Sequence, residues 1–261
     1  MSAKPTKSVL PSIYGGRGWV PDVPDQRDFV FSAPRAVLKA LPLSVDLSRS
    51  CPPVWDQGNL GSCTAQAVAA LFDTVRKRQK APFIDPSRLF IYFNERVLED
   101  TVAVDAGAML RSGIKTVVKQ GAATERAWPY IIRKFKTKPP KAAYTEAEKY
   151  QALSYLRINN RYLSQMKGCL AEGFPFVFGS MLYASFYDAA GTGIVPMPKS
   201  NEEAVGGHAM LAVGYSDTRK AFLVRNSWGT SWGKSGYHWM PYEYLANTAL
   251  SDDFWTIRRV E

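Results

Sequence analysis

The stretch Gly58-Asn-Leu-Gly-Ser-Cys63-Thr64-Ala-Gln-Ala-Val-Ala-Ala-Leu-Phe-Asp-Thr-Val75 decides how this chain is read. Residues 58–62 are turn-like, and the run from Thr64 to Val75 is rich in helix formers with small side chains that permit close packing. A cysteine therefore opens a buried helix. Unpaired N–H groups at such a helix start favour the thiolate over a thiol whose ordinary pKa is about 8.5. Gln57 lies on the far side of the glycine turn, from where its NH2 can fold back over the sulfur.

The chain has two histidines. His208 follows Gly206-Gly207 and opens Ala-Met-Leu-Ala-Val, an apolar run that reads as a buried strand. His238 sits among large side chains in Tyr237-His-Trp-Met240 and reads as a packed or surface histidine. Asn226 ends the strand-like Ala221-Phe-Leu-Val-Arg225, where an amide can hold an imidazole in one tautomer. Trp228 can cover that hydrogen bond from water. The Cys63 backbone N–H and the Gln57 amide are the donors that the oxygen of a tetrahedral intermediate needs. Together these are the parts of acyl transfer to a cysteine.

On these motifs the chain resembles the papain and cathepsin family of cysteine peptidases. Its His208 lies 208 − 63 = 145 residues and Asn226 226 − 63 = 163 residues after Cys63, against about 130–150 for the family signature. The likeness spans about residues 41–261 and includes Asp85-Pro-Ser-Arg-Leu-Phe, Asp105-Ala-Gly-Ala-Met-Leu, Glu125-Arg-Ala-Trp-Pro-Tyr130 and Gly173-Phe-Pro-Phe-Val177. The resemblance implies an α+β, papain-like two-lobe fold with a helical left lobe, an antiparallel β-barrel-like right lobe and the cleft between them. It implies a Cys63–His208 ion pair, Asn226 as the orienting residue, and Gln57 with the Cys63 amide as the oxyanion hole. Polypeptide substrates would pass through a thioester, with His208 protonating the leaving amine and then activating water.

By position, the backbone of Gly107 and Ala108 would pair with an extended substrate. Gly179 and Gly206 would wall the second subsite, with Leu110 near its lip and Asp252 at the floor, and Gly207 and Trp228 are further candidate substrate contacts. A glycine-walled pocket with an acid at its base would favour a large basic side chain.

Departures from the family pattern are informative. Leu60-Gly-Ser-Cys63-Thr64 stands where the family has Cys-Gly-Ser-Cys-Trp, so the usual disulfide partner is missing and Thr64 leaves space behind the helix. Cys51, Cys63 and Cys169 are the three cysteines, too few for a disulfide framework. Cys51 and Cys169 read as reduced thiols rather than a pair. Residues 1–13 have no signal-peptide core, and no run reaches the roughly 20 apolar residues of a membrane span. A cytoplasmic or other reducing compartment is expected, with export lacking a cleaved signal left open.

Residues 1–41 read as an extended arm, 42–132 as the helical lobe with the nucleophile, and 133–261 as the β-rich lobe with His208 and Asn226. Pro5, Pro11, Pro21, Pro24 and Pro34 oppose a helix in the arm. Its aromatics Tyr14, Trp19, Phe29 and Phe31 are expected to anchor it, either as a strap or as an in-cis cover over the cleft. Main helices are expected over 62–80, 87–98 and 108–120, and strands over 176–178, 209–213, 221–225 and 236–240.

The net charge is +10, and Arg133-Lys-Phe-Lys-Thr-Lys-Pro-Pro-Lys141 is the densest basic run. Its prolines suggest a solvated connection rather than a nucleic-acid site. No ligand-spaced His or Cys pair suggests a metal, and no cofactor is expected. Two other functions stay open: a basic scaffold on the same fold with little turnover, and an amidase or transglutaminase-like enzyme, which would generally carry Asp at position 226.

Overall fold

The computed structural model describes residues 18–261, so the reading of residues 1–13 and the Tyr14 anchor lie outside it. In chain order the elements are α1 (Arg35–Lys39), β1 (Ser44–Asp46), α2 (Cys63–Arg78), α3 (Arg88–Leu98), α4 (Leu110–Lys119), α5 (Lys141–Ala147), β2 (Ala152–Arg157), α6 (Leu163–Ala171), β3 (Phe176–Tyr183), α7 (Ala189–Thr192), β4 (Ala204–Ser216), β5 (Ala221–Arg225), β6 (Tyr237–Pro241), α8 (Tyr242–Ala246) and β7 (Ser251–Val260).

Everything is arranged around α2, in which every residue from Cys63 to Arg76 is buried. Ala65, Ala67, Ala69 and Ala70 leave no side-chain bulk, which lets β4 and β7 approach on one side and α3 and α4 on the other. Its buried Asp73 accepts from the Ile84 and Asp85 amides at 3.1 Å each. The three helices read from the sequence are present with frayed ends trimmed. Helix α3 starts where Ser87 Oγ accepts the Phe90 amide at 3.0 Å, an ordinary N-cap.

The strands form one antiparallel sheet in the order β2-β7-β3-β4-β5-β6, with β1 added on β4. The expected β-barrel-like lobe does not close, because β2 and β6 remain as its two ends. Strand β4 is much longer than the apolar run 209–213, extending through Gly206 and Gly207 while paired with β3. Strands β2 and β7 were not legible as apolar runs, since Asp252 and Asp253 interrupt β7 and β2 is half exposed.

The arm is tied to this sheet. Phe31 N–H donates to the Arg157 carbonyl at 2.7 Å and Arg157 N–H to the Phe29 carbonyl at 2.9 Å, so residues 29–31 extend the sheet beyond β2. Phe31 is buried beside β2, whereas Phe29, at the outer end of this short pairing, is 78% exposed, so Phe29 is not the anchor its aromaticity suggested. The basic run leading into α5 is solvated at Arg133, Lys136, Lys138 and Lys141. Among the described residues no helix is long and apolar enough to cross a membrane.

The space behind the nucleophile helix is filled by a polar pair. Thr64 Oγ1 donates to Glu95 Oε2 at 2.8 Å, and both residues are fully buried. Burial raises the Glu95 carboxyl well above its ordinary range, against the Thr64 hydrogen bond that lowers it. A raised acid pKa means that the folded chain binds the extra proton, so stability is present at low pH and is lost as pH rises through the folded pKa. Glu95→Gln should therefore match the wild type near pH 4 and melt higher than it at pH 8, the gap growing by up to about 1.4 kcal/mol per pH unit. Thermal unfolding at both pH values reads this directly.

Candidate active site

Cys63 is the first residue of α2, so its N–H has no partner within the helix. Its sulfur lies 3.3 Å from the amide nitrogen of Ala209, the residue after His208. The helix start and β4 thus bring thiol and imidazole to the same place from distant parts of the chain.

His208 Nε2 is 2.8 Å from Asn226 Oδ1, and that oxygen also accepts the Ser227 amide at 2.8 Å. The amide therefore presents its oxygen to the ring, which places the ring proton on Nε2 and the lone pair on Nδ1. Trp228 stacks on His208 with centroids 4.7 Å apart, and Tyr187 stacks on Trp228 at 5.7 Å. His238 is buried edge-on against Trp232 and Phe186. Burial, with the His208 charge, holds it down to about 3, the behaviour of a packed histidine.

Gln57 is buried and its amide is fixed at both ends. Its Nε2 donates to the Leu60 carbonyl at 2.9 Å, while Ser227 Oγ donates to its Oε1 at 2.6 Å. The Gln57 N–H also donates to the Ser227 carbonyl at 2.9 Å, part of a short pairing in which Asp56 opposes Trp228. Ser227 thus connects Gln57 to Asn226. An Asn-Ser dipeptide reads as a turn, so nothing in the sequence marked this role.

The arm passes directly over these groups. Gly18 and Val20 pair in parallel with Ala108: Ala108 N–H donates to the Gly18 carbonyl at 2.7 Å, and Val20 N–H to the Ala108 carbonyl at 3.0 Å. Trp19 N–H donates to the Gly207 carbonyl at 3.3 Å. The Trp19 indole lies against Gly179 and Gly207, and a Cβ at either would overlap it. Gly206 is instead paired with Leu182. Leu110 is fully buried at the start of α4 rather than at a lip.

The acid under the indole is Asp253, whose Oδ2 accepts Trp19 Nε1 and the Asp22 amide at 2.9 Å each. Its side chain is 0% exposed, whereas Asp252 is 44% exposed and faces Arg157. Asp253 belongs to a charge cluster in which Arg111 and Arg157 both contact Asp22 and Asp28. Burial and the Asp22 carboxylate push Asp253 up to about 7.

Under this cover the thiol and imidazole are both driven towards neutrality. Burial pushes Cys63 up to about 12, against the Ala209 and Gly18 amides, and holds His208 down to about 4, against the Asn226 hydrogen bond. Burial acts in both cases against the charged form, because a dry site withholds solvation from a thiolate and an imidazolium alike. Cys51 and Cys169 are free thiols. Among the described residues no cluster of His, Cys, Asp or Glu is arranged to hold a metal ion.

Asp105 fastens the nucleophile loop without a disulfide. Its carboxylate accepts the Gly61 amide at 3.0 and 3.1 Å and the Tyr92 hydroxyl, whose oxygen in turn accepts the Gly107 amide at 3.2 Å. The nucleophile loop is thereby fastened to the segment carrying Gly107 and Ala108. Hydrogen bonds to a charged acceptor contribute about 1.5–3 kcal/mol. Asp105→Ala should lower stability by that amount and reduce kcat/KM about tenfold, while Asp105→Asn, which keeps one acceptor, retains part of both. Steady-state kinetics with denaturant unfolding measures the two effects.

Comparison with known proteins gives a consistent picture. The sequence model described as "Papain family cysteine protease" matches residues 41–253. An uncharacterized peptidase C1-like protein, L477, of Acanthamoeba polyphaga mimivirus is 40% identical over 271 residues, covering 93% of this chain and 86% of that protein. The crystal structure of xylellain, a cysteine protease from Xylella fastidiosa, has 42% identity and a TM-score of 0.89, covering 98% of this chain and all of that one. Peptidase 1 of Dermatophagoides farinae is 26% identical over 206 residues, which spans 76% of this chain but 60% of its own length. With its helix-borne thiol beside the imidazole strand, this chain belongs to the papain family of cysteine proteases.

Proposed function

We propose that the chain is a latent cysteine peptidase whose own residues 18–20 lie in the substrate cleft, and that Cys63, His208, Asn226 and Gln57 perform the reaction. With the arm displaced, His208 Nδ1 takes the Cys63 proton as the sulfur attacks the peptide carbonyl carbon. The carbonyl oxygen becomes an oxyanion, held by the Cys63 N–H and the Gln57 NH2. Collapse breaks the C–N bond, and the imidazolium gives its proton to the departing amine. Water then attacks the thioester, His208 taking its proton, and the acid product leaves with the thiol restored.

The observation that carries latency is the orientation of Gly18. Its N–H faces the sulfur, and its carbonyl oxygen is engaged by Ala108. The Gly18 carbonyl, held on Ala108, is not offered to Gln57, so Gly18 fills the cleft without presenting its own carbonyl for attack. A Cβ at Gly18 would overlap the Gly61 carbonyl, so Gly18→Ala should undock the arm.

The expected result is a rise of about tenfold or more in kcat/KM on a fluorogenic peptide, equivalent to losing roughly one to two backbone hydrogen bonds. Iodoacetamide should modify wild-type Cys63 slowly near neutral pH, and Gly18→Ala fast, with a rate plateau well below the ordinary thiol pKa of about 8.5. Equal turnover and equal alkylation in the two chains would refute latency. A complete lack of turnover in Gly18→Ala would favour the scaffold reading instead.

Docking should also depend on pH. Burial raises Asp28, but Arg111 and Arg157 hold it below the ordinary range, so its contribution is lost as pH falls through that lowered value. Asp253 is raised, so its contribution is lost as pH climbs through about 7. Latency should be tightest between those limits, read as a minimum in wild-type alkylation rate relative to Gly18→Ala.

A further inference from the structure

We infer that Arg111 forms an anion subsite of the open enzyme, so that the preferred substrate carries an acidic residue just beyond the side chain that fills the glycine-walled pocket. This rests on the arm being the occupant of the substrate cleft. Arg111 stands at the start of α4, close after the substrate-pairing Ala108, and is buried against the arm at 12% side-chain exposure. All of its carboxylate partners come from the arm: Nε meets Asp22 Oδ2 at 2.7 Å, Nη1 meets Asp28 Oδ1 and Nη2 meets Asp28 Oδ2 at 2.7 Å.

Arg157 differs. It shares Asp22 and Asp28 but also reaches Asp252 and Asp253 of β7 at 3.2 and 3.3 Å, which stay behind when the arm leaves. Departure of residues 18–28 thus strips Arg111 of both acids while Arg157 keeps two. Arg111 is also held in place independently of the arm, because its guanidinium lies 5.0 Å from the Trp255 ring on one side of the cluster and Arg157 lies 5.4 Å from the same ring.

A half-buried guanidinium, pre-aimed by an indole and lacking a counter-charge, is a receptor for a carboxylate. The arm uses it in that way. Trp19 fills the pocket between Gly179 and Gly207, and Asp22 reaches Arg111 while its own amide rests on Asp253. A substrate peptide would present the same two chemistries, a large side chain with a hydrogen-bond donor for Asp253 and an acid for Arg111.

The test uses the full chain carrying Asp22→Asn and Asp28→Asn, which removes the competing acids without truncation. Fluorogenic peptides with a fixed aromatic residue for the pocket carry Glu, Gln or Lys at one, two or three residues beyond it. At one of these positions kcat/KM should be about tenfold higher for Glu than for Gln, as expected for a charge-assisted hydrogen bond. Adding Arg111→Gln should collapse that ratio to near one, and Arg111→Lys should preserve part of it.

Equal rates for Glu and Gln at all three positions, or a ratio unchanged by Arg111→Gln, would overturn the inference. The underlying latency is read separately, from whether the Asp22→Asn, Asp28→Asn chain turns over the Gln peptides faster than the wild type. If turnover is too slow to compare, the same peptides with a fluorescent label and Cys63→Ala added give the ratio as Kd by anisotropy. There, equal affinity for Glu and Gln likewise overturns it.

Discussion

The structure depends on burying the amino end of one helix. A buried helix start has N–H groups with nothing inside the helix to receive them, and such an end is tolerable only beside an acceptor. Here the acceptor is the sulfur of the residue that opens the helix, which also takes the Ala209 amide from β4. Packing and chemistry are then the same requirement. The alanines at 65, 67, 69 and 70 let α2 sit close enough to the sheet for that contact, and any bulk there would separate thiol from imidazole.

Cys63, His208 and Asn226 were legible in the sequence because each sits at a junction that local pattern can mark: a glycine turn before a helix, a glycine pair before a strand, a polar residue ending a strand. Gln57 was legible as a residue, but its partner Ser227 was not, because their contact spans 170 positions. Asp253 was missed for a related reason. Two adjacent acids on a strand are indistinguishable in sequence, and a regular pleat with Gly179 opposite Asp252 would favour Asp252. A bulge between β3 and β7, with Asp253 at φ +59°, turns the Asp253 carboxylate under the indole instead. Strand β2 carries mixed exposure and gave no periodic signal at all.

The loss of the family's cysteine beside the nucleophile did not leave the loop unfastened. A carboxylate that accepts the Gly61 amide and the Tyr92 hydroxyl holds the loop by charge-assisted hydrogen bonds. Thr64 and Glu95 fill the space behind the helix in a similar spirit, with a hydroxyl hydrogen-bonded to a carboxyl whose pKa is raised by burial. Both solutions work without oxidation, which suits three free thiols. Their cost is desolvation of buried polar groups, and that is why they are satisfied so completely at the loop itself.

How firmly the arm closes follows from magnitudes. A buried tryptophan removes about 150–250 Å² from water, roughly 4–6 kcal/mol. A value near 5 kcal/mol corresponds to a Kd of about 0.2 mM. The arm is tethered at residues 29–31, close to Trp19, so its effective concentration is of millimolar order. Tryptophan burial alone would then favour the closed state by only about fivefold. The backbone pairing on Ala108 and the two acids on Arg111 and Arg157 must supply the rest. Latency is therefore set by the backbone pairing together with largely buried ion pairs that respond to pH, while the apolar plug provides fit rather than the lock.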